Sequence, residues 1–167
     1  YFYFNHEQWK INGGASSSRL SIPSLKNRAG DRAWDDPLVA FSNGADPLYG
    51  EFKRHIGDFF LTPPEFFSQT FPSVPVSPEQ LTVISWILPQ TGQTKADLRQ
   101  ETLYPSESWA RARIFGEEVN VKLRKHVAEK LTEAGIEAFA PMLSPIWAMK
   151  MSEKYGFAST WSERHAA

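Results

Sequence analysis

Residues 81–89, LTVISWILP, constrain this chain more than any other stretch. They are β-branched and apolar at consecutive positions, so a strand made from them needs cover on both faces. Such a strand lies inside a sheet with helices packed over it, which points to an α/β architecture. The neighbouring segments fit that plan. PLVAF, residues 37–41, reads as a short strand, and SNGADP after it as a turn. Asp46-Pro47 reads as an N-cap with proline at the first helical position, and Leu48, Phe52, Ile56 and Phe59 (or Phe60) follow at helical spacing. The longest helix is expected over residues 107–134, with Val119, Leu123, Val127 and Leu131 on one face and Gly135 as its C-cap. IEAFA alternates as a short strand, and Ser144-Pro145 opens a further helix, IWAMKMSEKY, that stops at Gly156. The expected fold class is α/β: a mixed sheet whose central apolar strand, at about 81–89, is covered by helices, in a domain that is incomplete.

Between these elements lie polar or proline-rich stretches. TPPEFFSQTFPSVPVSPEQ is expected to be extended loop with a short turn at residues 65–68, and QTGQTKADLRQETLYPSES a long polar loop. An aromatic run at residues 1–4 has strand propensity, and GGASSSRLSIPSLKNRAGD after it is small and polar. The chain therefore divides into an N-terminal arm and loop, 1–35, and an α/β domain, 36–167. Near the C-terminus, Thr160 with Glu163 three residues on reads as a capping box, yet only a few residues follow. A helix of about seven residues is well below the roughly 12–15 needed for marginal stability alone. The expectation is a helix cut short.

Composition removes several classes of function. A formal net charge of −1 gives no basic footprint, which disfavours extended nucleic-acid binding. With no cysteine, the residues present form no disulfide, thiolate zinc site or cysteine-held iron–sulfur cluster. No apolar run approaches the roughly 18–20 residues of a membrane span, so no membrane partner is expected and the compartment is read as cytoplasmic.

Candidate chemistry is sparse. His6, His55, His126 and His165 stand apart from one another, and a surface or packing role is the simpler reading of each. His165 has the best functional claim, because it lies beside Glu163 and Arg164. The acid pairs Asp35-Asp36 and Glu117-Glu118 read as a cap and a solvated helix face, and KLRKH, residues 122–126, as the wet side of the long helix. NGGA at Asn12 lacks the lysine and following helix of a phosphate loop. No catalytic residue and no metal ligand is assigned. Six Trp and twelve Phe are more informative, since they fill a core or wall a cavity for a flat ligand. Trp86 and Phe52 read as core, while Trp109, Trp147 and Trp161 each stand at an expected helix start.

The segments LTVISWILP, SWARARIFGEEVNVKLRKHVAEKLTEAGIEAFAP, LSPIW and WSERHAA stand in that order. In this order, residues 81–167 resemble the corrinoid-binding region of the epoxyqueuosine reductase and reductive dehalogenase group of iron–sulfur and cobalamin proteins. The resemblance implies that ERHAA continues into a glycine-rich segment and a cysteine-rich, ferredoxin-like part, so that this chain is a fragment. It implies 4Fe–4S clusters and cobalamin in the intact protein, none in the fragment, and a corrinoid rim that includes Arg113, Asn120 and Ser144. The sequence departs from the family pattern in two places. Glu118-Val119-Asn120 stands where the reductases tend to have Asp-Tyr-His, and Pro141-Met142-Leu143-Ser144 where they place an acid after the short strand. The proton-donating acid of the epoxide reductase is therefore not visible. The alternative is a non-enzymatic protein-interaction module that uses the aromatic arm and the Pro-rich loop. A flat apolar patch over residues 1–4 would favour that module. A deep pocket lined by helix starts at Glu107, Pro145 and Trp161 would favour the reductase.

Overall fold

The computed structural model describes residues 2–5, 24–27 and 30–166. Its elements are β1 (Phe2–Asn5), β2 (Leu38–Asn43), α1 (Leu48–Ile56), α2 (Pro63–Thr70), β3 (Leu81–Ile87), α3 (Gly92–Gln100), α4 (Glu107–Glu133), β4 (Met149–Ser152), β5 (Gly156–Ser159) and α5 (Glu163–Ala166). The chain is thus mixed α/β, as the sequence leads one to expect. His6, NGGA and most of the small polar loop lie outside the described residues. Among the described residues two compact units are present: 2–5, 40–85 and 124–166 form the first, and 24–27, 30–39 and 86–123 the second.

In the first unit, β3 is the middle strand of a three-stranded sheet ordered β1-β3-β2. β1 runs antiparallel to it, with Phe2 opposite Ile84 and Asn5 opposite Leu81. Leu81, Thr82 and Val83 are buried in succession, which is the two-sided cover their apolar run requires. Gly44 donates its N–H to Leu81 O at 2.8 Å. A Cβ at that glycine would lie 2.6 Å from Leu81 Cβ and 2.9 Å from Pro78 O, so the close approach admits no side chain.

The core of this unit is aromatic. Tyr49, Ile56, Phe60, Phe66, Phe67, Leu81, Val83, Phe139 and Trp161 form one buried cluster. The buried stripe of α1 is rotated from the expected one. Leu48 is 55% exposed, while Tyr49 is buried, its hydroxyl 2.7 Å from Ser42 Oγ and its ring stacked on Trp161 at 5.9 Å. Burial raises the Tyr49 phenol above its ordinary pKa, against the hydrogen bond from Ser42.

Residues expected to be loop form α2 instead. Prolines at its first two positions are compatible with a helix start, where the missing N–H groups have no partner to lose. Pro63, Phe66 and Phe67 are buried, and that burial supplies what a short helix lacks alone. A capping box closes the start: the Thr62 N–H and hydroxyl donate to the Glu65 carboxylate at 2.8 and 2.9 Å. Lys53 Nζ lies 2.6 Å from the same carboxylate. Burial alone would raise the Glu65 pKa, but the hydrogen bonds from Lys53 and Thr62 outweigh it and hold the carboxyl below its ordinary value. A group depressed in this way adds stability above its unfolded pKa and loses it as pH falls through the folded value. Glu65→Gln is expected to cost about 0.5–1 kcal/mol at pH 7, discounted for its exposure. In urea melts the gap from wild type should close as the pH drops below the carboxylate range. A gap that stays constant down to acid pH would disprove the role of the charge.

Two further expectations are corrected. Residues 146–155 form no helix: β4 and β5 make an antiparallel hairpin with Met149 opposite Ser159 and Ser152 opposite Gly156. AMKMSEKY has good helix propensity. The ladder, the turn at Gly156 (φ +69°) and a bond from Ser152 Oγ to Ile56 O at 2.6 Å override it. IEAFA enters no ladder among the described residues. Ile136, Ala138, Phe139 and Ala140 are buried as extended chain before the 3-10 turn Pro141–Leu143.

In the second unit, the polar loop after β3 contains α3, capped by Thr91 Oγ1, which accepts from the Thr94 N–H at 3.1 Å. α4 begins with Ser106 Oγ accepting the Trp109 N–H at 3.3 Å. At its other end, in the first unit, Gly135 (φ +80°) lets Ile136 N–H reach back to Leu131 O, which closes the helix as expected. Leu25, Ala33, Trp34 and Ala112 form the core of this unit, with Leu88 and Val119 packed against it. Gly116 lies one turn beyond Ala112, and a Cβ there would be 3.2 Å from the Trp34 ring.

Candidate functional site

The first unit carries an apolar groove of about 470 Å³ walled by Trp147, Met149, Phe157 and Trp161, with Arg164 and His165 beside it. Its volume is within the range of ligand pockets. Trp161 is fully buried, fixed between Tyr49 and Phe60, with ring centroids 5.9 Å away on each side. Trp147 Nε1 is buried and has no hydrogen-bond partner among the described residues.

The end of the chain is held against this groove by long-range bonds, and the expected capping box is absent. Thr160 Oγ1 accepts from Ala148 N–H at 3.1 Å and lies 3.3 Å from Ile146 O, so it serves the strap before β4. Glu163 instead receives Arg124 Nη2 at 2.8 Å, and Ser85 Oγ donates to Ala166 O at 2.7 Å. The four-residue α5 thus takes its order from tertiary contacts. His165 Nδ1 lies 2.6 Å from Ser162 Oγ, and its ring centroid 5.0 Å from that of Phe52. Arg124 also corrects the reading of KLRKH as a wet face: Lys122, Lys125 and His126 are exposed, but Arg124 is 6% exposed.

The second unit carries a polar cleft of about 560 Å³ between α3, the start of α4 and Leu25, Asn27, Asp31 and Arg32. Asp97 accepts from Ser108 Oγ and from Gln93 Nε2, each at 2.7 Å. Those bonds, Ser108 first, hold its carboxyl below the ordinary pKa, so it is ionised at neutral pH. Arg111 Nε bonds Glu107 at 2.7 Å. The cleft offers hydrogen bonds to a polar ligand, with Leu25 in its lining.

The three residues implied as a corrinoid rim are placed as follows. Arg113 is exposed on α4, its guanidinium 5.9 Å from the Trp109 ring centroid. Asn120, two helical turns on, accepts from Trp86 Nε1 at 3.1 Å, and both residues are half-buried. Trp86 is therefore a hydrogen-bonded flank of its unit, short of the full burial expected for it. Ser144 follows the 3-10 turn, and its Oγ accepts the Ile146 N–H at 3.4 Å. Arg113 and Asn120 belong to the second unit and Ser144 to the first. Of the helix starts expected to share a pocket, Glu107 lines the cleft of the second unit and Trp161 the groove of the first, while Pro145 starts no helix.

Sequence reading missed the groove because it took its hairpin for a helix. The alternation in MKMS and GFAS around the turn residues EKY was the available signal. The Arg124–Glu163 pair, thirty-nine residues apart, left no local signal. Among the described residues there is no group of three or more His, Cys, Asp or Glu placed to hold a metal, and no helix long and apolar enough to cross a membrane. Comparison with family models, curated proteins and solved structures gives no match for this chain.

Proposed function

We propose that this chain is the cofactor-binding part of an iron–sulfur oxidoreductase similar to epoxyqueuosine reductase, one that works through a corrinoid. The reading rests on the order of the quoted segments, and one structural observation carries it further. WSERHA, which ends the resemblance, is pinned to the core and forms part of an aromatic groove. Flat aromatic and thioether walls suit the face of a planar macrocycle. The residues present do not fit an iron–sulfur cluster, because none is a cysteine. The clusters of the proposed protein would be held by residues other than these.

A bound corrinoid would supply redox chemistry at its metal. This chain would bind and orient it and exclude water. In the first unit, the groove would bury apolar surface, and the Ser144 hydroxyl would offer a hydrogen bond. Titration with hydroxocobalamin tests the proposal. Wild type should give a saturable spectral change, and Ser144→Ala should weaken binding about fivefold. No spectral change with wild type would remove the corrinoid. Unchanged binding in the variant would remove Ser144 from its site. The encoding gene, read beyond Ala167, should specify a glycine-rich segment and cysteine clusters. Their absence would remove the iron–sulfur reading.

A further inference from the structure

We infer that His165 is the axial ligand of the metal that a bound corrinoid carries, and that Ser162 fixes its imidazole. This rests on the corrinoid reading above and names the atom of the groove that meets the metal. His165 lines the aromatic groove of the first unit. Its Nδ1 lies 2.6 Å from Ser162 Oγ, and its ring packs on Phe52 with centroids 5.0 Å apart. Nε2 has no hydrogen-bond partner among the described residues. An imidazole held at one nitrogen and open at the other has the arrangement of a metal-ligating histidine, in which the outer bond sets the tautomer and the direction of the ring. With a metal on Nε2, Nδ1 carries the proton and donates it to Ser162 Oγ.

The kind of metal follows from what stands beside the imidazole. A bare ion such as zinc takes about three or four protein ligands. Glu163, the carboxylate in the lining of the groove, is held by Arg124 Nη2 at 2.8 Å. One imidazole then suits a metal that arrives already held in the plane of a macrocycle and needs an axial ligand from the protein. The aromatic walls Trp147 and Phe157 provide for the flat face of such a ring. Met142 and Met149 bring thioether sulfur to the same lining, and a thioether is the weaker axial ligand.

Cobinamide, a corrinoid without a nitrogen base of its own, is the probe. It is bound to the tag-free chain, reduced to the Co(II) form and read by electron paramagnetic resonance. Each cobalt line should be split into a triplet by one nitrogen-14 nucleus. Protein grown with nitrogen-15 histidine should give doublets instead, with no residue changed. His165→Ala should abolish the splitting and weaken cobinamide binding about tenfold or more. The side chain is exposed, so the circular dichroism of that variant should match wild type. Sulfur gives no such splitting. Bound cobinamide without nitrogen splitting would therefore overturn the role of His165 and leave the corrinoid reading standing. A splitting that survives His165→Ala would assign another nitrogen and overturn it too. A wild-type chain that retains no cobinamide on gel filtration would overturn both.

Discussion

Trp161→Ala is expected to lower the unfolding free energy by about 3–5 kcal/mol, out of roughly 5–15 kcal/mol for an ordinary domain. The indole is 1% exposed, stacks between Tyr49 and Phe60, and meets Phe66 edge-on at 6.3 Å. Three rings held by other elements lose a neighbour together, and the void is too well braced to collapse. Trp86→Ala makes the contrast. That side chain is only half-buried and bonded through Nε1 to Asn120, so its loss should cost less, about 1–3 kcal/mol. Urea melts of the two variants give the comparison. A cost for Trp161→Ala under about 1 kcal/mol, or one no larger than for Trp86→Ala, would contradict the packing described.

Arg124→Met should cost about 2–4 kcal/mol, and Glu163→Gln less. Arg124 carries a nearly buried guanidinium, 2.8 Å from a Glu163 carboxylate that is 30% exposed. Methionine keeps most of the apolar stem, so the loss reports the charge and its hydrogen bonds more than packing. The double-mutant cycle should show a coupling of about 1–3 kcal/mol. Both variants should also loosen residues 162–166, read as faster amide exchange there while β3 keeps its protection. Coupling near zero would mean that the Ser85 bond to Ala166 and the ring contacts hold α5 without this ion pair.

Some of this architecture was legible residue by residue. LTVISWILP specified a strand in the middle of its sheet, and Leu81, Thr82 and Val83 are buried as such an apolar run requires, while Ile87 at its end is 49% exposed. The 27 residues of α4 carry enough periodic signal and good helix formers to be read within one residue of the observed end, and Gly135 marked the stop. The site was far less legible. Pro63 and Pro64 look like helix breakers and instead begin α2, because proline is harmless at the first turn and the burial of Phe66 and Phe67 holds the turn in place. Thr160 and Glu163 have the spacing of a cap, yet each finds a better partner elsewhere, Thr160 in the chain before β4 and Glu163 in Arg124.

What the sequence determined by itself is therefore what local periodicity can carry: the α/β class, the central strand, the long helix and its stop. Only the tertiary structure decided that residues 149–159 form a hairpin, that Arg124 turns inward, and that a four-residue helix stays ordered. In each of these cases the local preference amounts to at most about 1 kcal/mol per residue, and partners elsewhere in the chain outweigh it: the β5 strand across a short turn for Met149, and, far beyond any short window, Glu163 for Arg124 and Ser85 for Ala166.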